Sequence, residues 1–451
     1  MKSLLALFLA IVLAGCGTAR TDGGPIRIGA VFPISGNAAS LAGPELTGVR
    51  IAADQVNADG GIGGRRIELV VRDVQSREEA AQAMGELRDQ GIQLVIGAYS
   101  SDLSIAASEA ADKAGLVYWE AGAVADRLTG RGLPHVFRVG ASGSNLGANS
   151  SAFAATELAS RLGKPVAQLR VGIAVAEDDY ARSVADAAEA TARDRGMPVV
   201  VRRSYNLALP DWPSVMADLA AARPDVLILA SHIPDGIAFR QAMVAAGLKV
   251  GALIGSTMAE CDPDFAGELG ADAIGVFASD RPTAGFQGSA LGPDAAAAYA
   301  RFAADWAAAS KDGAVAGAGP NAGAGDDARG YGDAEYTIHG PAEDATAEES
   351  EEALAGYSAA WALFRHVLPV AAASGGSLDA NAVATAARAV DLPEGSLPNG
   401  AGLRFSTDAS TLGQNERAAA VIWQWQAVRT YAFVWPPTYA TGSIQFVPLS
   451  R

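Results

Sequence analysis

Residues 26–43, IRIGAVFPISGNAASLAG, contain the pattern that decides the fold. The apolar run of residues 26–32 predicts a buried strand, which ends at Pro33 and the turn residues 35–37. Residues 44–57 then place apolar side chains every three or four positions, which predicts a helix. A strand followed directly by an amphipathic helix is the repeating unit of parallel α/β sheets.

The same unit recurs along the chain in two blocks. In the first block, strands are predicted at residues 26–32, 67–71, 94–96 and 116–119. After a helix at 145–162, strands are predicted at residues 171–176, 199–205, 226–230 and 251–254. This alternation predicts an α/β fold with two doubly wound parallel-sheet lobes. Helices at 294–309, 351–373 and 380–390 break the rhythm, and we expect them to complete the two lobes.

The composition excludes several classes of protein. The 451 residues carry 34 Lys and Arg against 50 Asp and Glu, a formal net charge of −16. This balance argues against a nucleic-acid partner, because phosphate binding requires a basic surface. Half of the residues are hydrophobic, which excludes wholesale disorder. Two cysteines cannot form a disulfide-rich scaffold.

The N-terminus has the pattern of an export signal. Lys2 precedes an apolar run at residues 4–13, which ends in Leu-Ala-Gly-Cys16. We predict a signal peptide over residues 1–15, a lipobox with lipidation of Cys16 as the membrane anchor, and a flexible tether over residues 16–25. The alternative is a plain signal peptide with a chance cysteine. Lipidation would leave Cys261 without a partner, as a buried structural thiol.

Residues 310–350 differ in composition from the rest of the chain. Residues 314–325 are almost entirely Ala, Gly and Pro, and ten carboxylates follow within residues 326–352. A calcium loop is one interpretation, but the carboxylate spacing does not match an EF-hand. We predict a mobile acidic insertion.

The sequence contains no recognised catalytic or cofactor motif. The four histidines lack metal-ligand spacing, and neither a G-x-S-x-G nor a phosphate-loop pattern occurs. The glycine-rich residues 60–64 lie between a helix and a strand, whereas a dinucleotide loop lies between a strand and a helix. We therefore expect a protein that is not an enzyme and needs neither a cofactor nor a metal.

The ends of the predicted strands supply candidate binding groups. The strand at 94–96 leads to Ser100 and Ser101, directly before a predicted helix. Ligands of parallel sheets lie outside the carboxyl ends of the strands, where helix N-termini attract anions. Either serine is therefore a candidate for binding a carboxylate, and the alternative is that each only caps its helix.

Three stretches are the most informative: residues 28–43 together with 52–62, residues 95–108, and residues 122–138. They resemble the periplasmic leucine/isoleucine/valine-binding protein family, the amino-acid branch of the type 1 solute-binding proteins. The likeness extends over about residues 26–280 and fades toward the C-terminus. It implies two lobes joined by three crossing segments, which close on a small-molecule ligand and deliver it to an ABC permease.

The resemblance assigns roles to individual residues. Ser101 matches a serine that binds the ligand's carboxylate, and Gly122 and Val124 lie in a loop whose backbone meets the carboxylate and amino groups. Tyr180 matches a tyrosine that closes over the ligand; alternatively it packs on its own lobe. His232 stands near the position of a second tyrosine, where it would line the cleft or cap a helix.

Several positions depart from the family pattern. The family typically has threonine in place of Val124. It also has a glutamate for the ligand's ammonium near residues 255–258, where this chain has the candidate ligand contact Thr257 and no acid; Glu260 is nearby but out of register. A buried ammonium needs a carboxylate partner. Glu120 is the candidate, and the alternative is a rim glutamate paired with Arg127. Asp102 would repel an anion at the same helix start unless it points outward.

These observations lead to one hypothesis and one alternative. We predict a first lobe of residues 26–142 and about 281–374, and a second lobe of residues 143–280 and about 375–451. The hypothesis is an exported substrate-binding lipoprotein of an ABC importer, anchored at the cell envelope. It would capture a small polar metabolite, an amino acid by default, with amides and organic acids open. The alternative is a sensory ligand-binding protein that signals to a membrane partner without transport.

Overall fold

The computed structural model describes residues 23–256, 263–283, 285–311, 337–338, 351–373, 378–428 and 430–449. The predicted signal peptide, Cys16, most of the tether, Thr257, Cys261 and most of the acidic insertion lie outside the described residues. In the part of the chain that is described, no helix has both the length and the hydrophobicity needed to cross a bilayer.

Two sheets organise the described chain. Their strands are β1 (Ile26–Phe32), β2 (Ile67–Asp73), β3 (Leu94–Gly97), β4 (Val117–Glu120), β5 (Val136–Arg138), β6 (Val171–Ala176), β7 (Val199–Tyr205), β8 (Val226–Ala230), β9 (Ala252–Ser256), β10 (Phe277–Asp280), β11 (Thr337–Ile338), β14 (Val421–Ala427) and β15 (Thr430–Trp435), with a separate ribbon of β12 (Asp391–Leu392) and β13 (Leu403–Arg404).

Helices cover both sheets. They are α1 (Ala39–Ala58), α2 (Arg77–Asp89), α3 (Ser101–Ala114), α4 (Gly143–Phe153), α5 (Ala159–Arg161), α6 (Asp179–Asp194), α7 (Trp212–Ala222), α8 (Ile233–Ala245), α9 (Pro263–Leu269), α10 (Pro293–Lys311), α11 (Glu351–Ala362), α12 (Leu368–Ala373) and α13 (Ala380–Ala389). π-helical turns join α4 to α5 and α11 to α12.

The first lobe is built on a five-stranded parallel sheet in the order β2-β1-β3-β4-β5. Alternate residues of β1 enter two different cores: Ile28 and Phe32 pack with α1, whereas Val31 packs with α2 and α3. A strand buried on both faces reads as a continuous apolar run, which is why residues 26–32 predict it so clearly.

Helix α11 completes the first lobe from a distant part of the sequence by packing closely on α1. A Cβ atom on Gly48 would lie 2.0 Å from the carbonyl oxygen of Ala353, and one on Gly356 would lie 2.1 Å from that of Glu45. Both contacts are far shorter than any real Cβ contact. The two helices can therefore approach this closely only because these positions are glycines.

The second lobe has an eight-stranded sheet in the order β11-β15-β14-β10-β9-β8-β6-β7. Strands β10, β9, β8, β6 and β7 are parallel, whereas β14 runs antiparallel to β10 and β15 antiparallel to β14. The predicted two lobes with parallel-sheet cores are confirmed. The antiparallel strands were not predicted, and β11 lies within the stretch that was predicted to be a mobile insertion.

In the described part of the chain, the segments after β5, after β10 and before β14 cross between the lobes. Two of them are tied together, because the backbone N–H of Asn415 donates to the carbonyl of Arg138 at 3.0 Å. The Asn415 side chain also donates to the carbonyl of Val139 at 2.9 Å, and that of Gln414 to the carbonyl of Gly140 at 3.1 Å.

One lobe boundary differs from the sequence analysis, which assigned residues from about 375 to 451 to the second lobe. Helix α13 instead lies against the first lobe, where Asn381 contacts His135 at 3.1 Å and the Arg388 guanidinium lies over the ring of Phe137. Its apolar face, which includes Val383, belongs to the same core as Phe137. Periodicity alone reveals such a face but not which sheet it covers.

Candidate functional site

A cavity of about 470 Å³ lies between the lobes, where the carboxyl ends of parallel strands from both sheets meet. Both lobes contribute to its wall. The lining residues are Tyr99, Ser100, Ser101, Asp102, Ile105, Gly122, Ala123, Val124, Asp178, Asp179, Tyr180, Arg182, Leu207, His232 and Arg281. Of the predicted site residues, Ser100, Ser101, Gly122, Val124, Tyr180 and His232 line this cavity.

The N-terminus of α3 forms one side of the cavity. Ser100 caps the helix, accepting a hydrogen bond from the backbone N–H of Leu103 at 3.3 Å. The Ser101 hydroxyl oxygen accepts from the N–H of Ala125 at 3.1 Å, which fixes the loop after β4 and leaves the hydroxyl proton for a ligand. Asp102 also lines the cavity; it is exposed and pairs with Arg77, which offsets its negative charge at the helix start.

Glu120 supports this loop from behind and does not line the cavity. Its Oε1 accepts hydrogen bonds from the N–H groups of Ala121, Gly122 and Ala123 at 3.1, 2.9 and 2.8 Å. The Tyr118 hydroxyl donates to Oε2 at 3.0 Å. Burial raises the pKa of Glu120 to about 7.

Both sequence interpretations of Glu120 therefore need correction. Its side chain is completely buried, so it offers no surface to a ligand's ammonium. It is not a rim residue paired with Arg127 either, because Arg127 contacts Asp179 at 2.9 Å. The sequence places Glu120 correctly at the strand end but carries no signal that its carboxylate turns back onto the loop amides.

Gly122 and Val124 present the loop to the cavity. The Gly122 carbonyl accepts a hydrogen bond from Arg281 Nη1 at 3.0 Å. On its other side, a Cβ atom at position 122 would lie 2.1 Å from the carboxyl of Glu45, so glycine allows this close approach. The Val124 side chain lies on the cavity side, 7% exposed, and makes this part of the wall apolar.

The second lobe contributes an aromatic pair. Tyr180, in the first turn of α6, packs edge-on against His232 with ring centroids 5.0 Å apart. The Tyr180 hydroxyl lies 3.1 Å from the carbonyl of Ser231 and also contacts that of Ser256. Tyr180 therefore both lines the cavity and anchors to its own lobe. His232 likewise lines the cavity and occupies the N-cap position of α8.

Three charged residues at the second-lobe side were missed from the sequence. Asp178 caps α6 by accepting from the N–H of Ala181 at 2.7 Å, and its Oδ2 lies 3.1 Å from His232 Nε2. Asp179 contacts Arg182 at 2.8 Å as well as Arg127 of the first lobe. The hydrogen bond from Arg182 is the main reason that the pKa of Asp179 is lowered. The two aspartates lie just beyond a predicted strand, and this position is the sequence signal that could have identified them as site residues.

Arg281 was missed because β10, which ends one residue earlier, was not predicted. It is 7% exposed, and its Nε and Nη2 lie 2.7 and 2.6 Å from Glu351 Oε1. Burial lowers the pKa of Arg281, but the nearby carboxylates, foremost Glu351, outweigh burial and raise the pKa above its ordinary value, so the guanidinium is permanently charged. It is the deepest cation among the described lining residues.

The site is suited to binding a small molecule. It combines hydroxyl and guanidinium donors with the apolar side chains of Ile105, Val124 and Leu207. Within the described ranges, no group of three or more His, Cys, Asp or Glu side chains is arranged to hold a metal ion.

Comparisons with known proteins agree with this architecture. A family model for periplasmic binding proteins matches residues 25–326. Leu/Ile/Val-binding protein homolog 8 of Brucella abortus is 29% identical over 423 residues, 93% of each chain. Homolog 7 of Brucella melitensis is 32% identical over 259 residues, 56% of this chain and 63% of its own.

Two solved structures share the fold. The ABC transporter substrate-binding protein from Desulfitobacterium hafniense, in complex with Leu, matches 91% of this chain and 100% of its own, with a TM-score of 0.65 and 21% identity. The branched-chain amino acid transporter substrate binding protein from Streptococcus pneumoniae, in complex with isoleucine, gives the same coverage and TM-score at 18% identity. The family model covers more than half of the sequence, and with the two-lobed fold and its interlobe cavity it establishes that the chain belongs to the periplasmic binding protein family.

Proposed function

We propose that the protein is the substrate-binding component of an ABC importer and captures a small polar metabolite between its lobes. The observation that carries this proposal is the interlobe cavity, to which both lobes contribute polar groups at their strand ends. A ligand bound there contacts both lobes at once, so its binding favours the closed arrangement. Membership in a family of binding proteins supports a role without catalysis.

Within this proposal, Ser101 binds the ligand's carboxylate at the N-terminus of α3, and Val124 and Tyr180 contact its body. The hydrogen bond from the N–H of Ala125 uses a lone pair of the Ser101 oxygen and not its proton, so the hydroxyl proton is available to a ligand. Amino acids are the first ligands to test, since the D. hafniense and S. pneumoniae proteins were solved with Leu and isoleucine.

Thermal unfolding tests ligand capture directly. The chain from Thr18 onward, denatured and refolded to remove any copurified ligand, is unfolded with amino acids, amides and organic acids. At a concentration about one hundred times Kd, a ligand adds about 2.7 kcal/mol of apparent stability, which raises the unfolding midpoint. No shift with any compound would contradict capture of a metabolite from these three classes.

Ser101→Ala tests the carboxylate contact. Loss of a hydrogen bond to a charged group should weaken binding by about 1.5–3 kcal/mol. The matched control is Ser76→Ala, because Ser76 caps α2 by accepting from the N–H of Glu79 at 3.2 Å and does not line the cavity. Equal affinities for both variants would remove Ser101 from the site.

Export and lipid anchoring are also part of the proposal. They rest on the N-terminal sequence that ends at Cys16. Metabolic labelling with a fatty acid should mark the full-length protein and not the Cys16→Ser variant, and label on that variant would rule out the anchor.

A further inference from the structure

Both lobes contribute apolar side chains to the cavity wall. Ile105 and Val124 belong to the first lobe, and Leu207 belongs to the loop that follows β7 in the second lobe. These side chains differ in how much surface they leave uncovered. Ile105 is 1% exposed and Val124 is 7% exposed, whereas Leu207 is 39% exposed. Of the three, Leu207 therefore presents the most apolar surface that a ligand could still cover.

The backbone around Leu207 is held by the side chain that precedes it. Oδ1 of Asn206 accepts hydrogen bonds from the N–H groups of Ala208 and Leu209 at 2.9 and 3.0 Å. An asparagine that bonds to the backbone two residues ahead fixes a tight turn. The backbone at Leu207 is therefore already ordered before a ligand arrives, and binding does not have to order it.

Both ends of the loop are anchored in the second lobe. At its start, the buried Tyr205 donates its hydroxyl hydrogen to Asp235 Oδ2. At its end, Trp212 packs against Tyr205 with ring centroids 5.0 Å apart and against Phe239 with centroids 5.7 Å apart. Leu207 therefore moves together with the second lobe when the lobes open or close.

This attachment gives Leu207 a role in closure. A ligand whose polar group is bound at Ser101 in the first lobe reaches Leu207 only when the second lobe has moved against it. Removal of apolar surface from water is favourable in proportion to the area that is covered. A ligand with a larger apolar group should therefore stabilise the closed arrangement more.

We infer that Leu207 is a specificity-determining residue, which covers the apolar group of the ligand from the second lobe. This inference rests on the proposed function, because it assumes that the cavity captures a ligand. It deepens that function by naming the side chain through which the second lobe distinguishes ligands by the size of their apolar group. The distinction should hold for any polar group that binds at the first lobe.

Isothermal titration of the refolded chain with three matched pairs of compounds tests the inference. The pairs are leucine with alanine, isocaproate with propionate, and isocaproamide with propionamide. Within each pair the polar groups are identical, and the longer compound has three more apolar carbons. In every pair that binds, the longer compound should bind at least about tenfold more tightly, even if only part of the added surface is covered.

Leu207→Asn tests the source of this preference. The variant should reduce the preference for the longer compound by about three- to eightfold, the value expected for covering the exposed 39% of a leucine. The affinity for the shorter compound should change little, and stopped-flow kinetics should show faster dissociation of the longer one. The matched control is Leu209→Asn, in the same loop, because Leu209 is 83% exposed and does not line the cavity. Leu207→Ala gives the same comparison if Leu207→Asn fails to fold.

The outcomes that would overturn the inference differ in what else they overturn. Equal affinities within every pair that binds would refute it and leave ligand capture standing. An unchanged preference in Leu207→Asn, or an equal loss of preference in Leu209→Asn, would do the same. Absence of binding by all six compounds and by the wider panel of amino acids, amides and organic acids would refute both the role of Leu207 and the proposed function.

Discussion

Glu120 offers the sharpest test of how the loop after β4 is held, because replacement by glutamine separates its hydrogen bonds from its charge. In Glu120→Gln the side-chain carbonyl can still accept from the three loop amides, but the residue no longer ionises. In Glu120→Ala the N–H groups of Ala121, Gly122 and Ala123 lose their acceptor. The two variants should therefore behave differently.

The size of the effect follows from the two pKa values. The pKa of Glu120 is about 7 in the folded protein, against a reference value of 4.5. Because the folded state binds the proton more tightly, the stabilisation is complete below the lower value and is lost as the pH rises through the upper one. Between about pH 5 and about pH 8 this group alone should lower the free energy of unfolding by about 2.5 kcal/mol.

Urea unfolding of the three proteins at both pH values is the assay. From about pH 5 to about pH 8, the free energy of unfolding should fall by about 2.5 kcal/mol less in Glu120→Gln than in the unmodified chain, because glutamine does not ionise. Glu120→Ala should be about 3 kcal/mol or more less stable already near pH 5, because three buried donors are orphaned. Glu68→Gln, at an exposed first-lobe glutamate paired with Arg27, is the control and should leave the pH dependence unchanged.

Equal pH dependence of Glu120→Gln and the unmodified chain would refute the argument that a buried, ionisable Glu120 opposes folding at high pH. If Glu120→Gln had normal stability but no longer bound ligand, Glu120 would instead be a ligand-binding residue.

Four further predictions concern the cleft, the hinge and the lobe core. Arg127→Gln should weaken ligand affinity only about twofold, as for an exposed ion pair, because its contact with Asp179 bridges the lobes; titration calorimetry checks this. Arg138→Met should destabilise the protein by about 3 kcal/mol or more in urea unfolding, because this buried guanidinium binds loop carbonyls and a hinge side chain. Val124→Thr should tighten leucine binding by about 1 kcal/mol if the added hydroxyl reaches the ligand, and unchanged affinity would contradict this. Gly48→Ala should lower the thermal midpoint by several degrees, because its Cβ would collide with α11, whereas alanine at the exposed Gly85 should not.

The sequence predicted those parts of the fold whose signal is local. Strands such as Val226–Ala230 are uninterrupted apolar runs, and each is followed by a periodic helix. The short β10, with Ser279 and Asp280 among its four residues, lacks such a run. The antiparallel strand β14 pairs with β10 from more than a hundred residues away, β15 pairs with β14, and no local pattern predicts that β14 joins β10.

The candidate site divides in the same way. Ser101, Tyr180 and His232 lie within a few residues of the carboxyl ends of predicted parallel strands, and this position brings them to the cavity wall. Arg281 follows a strand that was not predicted. The orientation of Glu120 depends on the conformation of the loop after it, which the pattern of apolar residues does not describe.

The return of α11 to the first lobe has a consequence for how the chain folds. The Tyr357 hydroxyl donates to the side chain of Gln55 at 2.7 Å, although 302 positions separate the two residues. Contacts of such high sequence separation require the closure of a long loop and therefore form slowly. The first lobe, despite containing the N-terminal strand, cannot complete its core until the C-terminal quarter of the polypeptide is available. Because the two lobes are interleaved along one chain in this way, we expect both to reach full stability at the same stage of folding, after the C-terminal quarter has joined the first lobe.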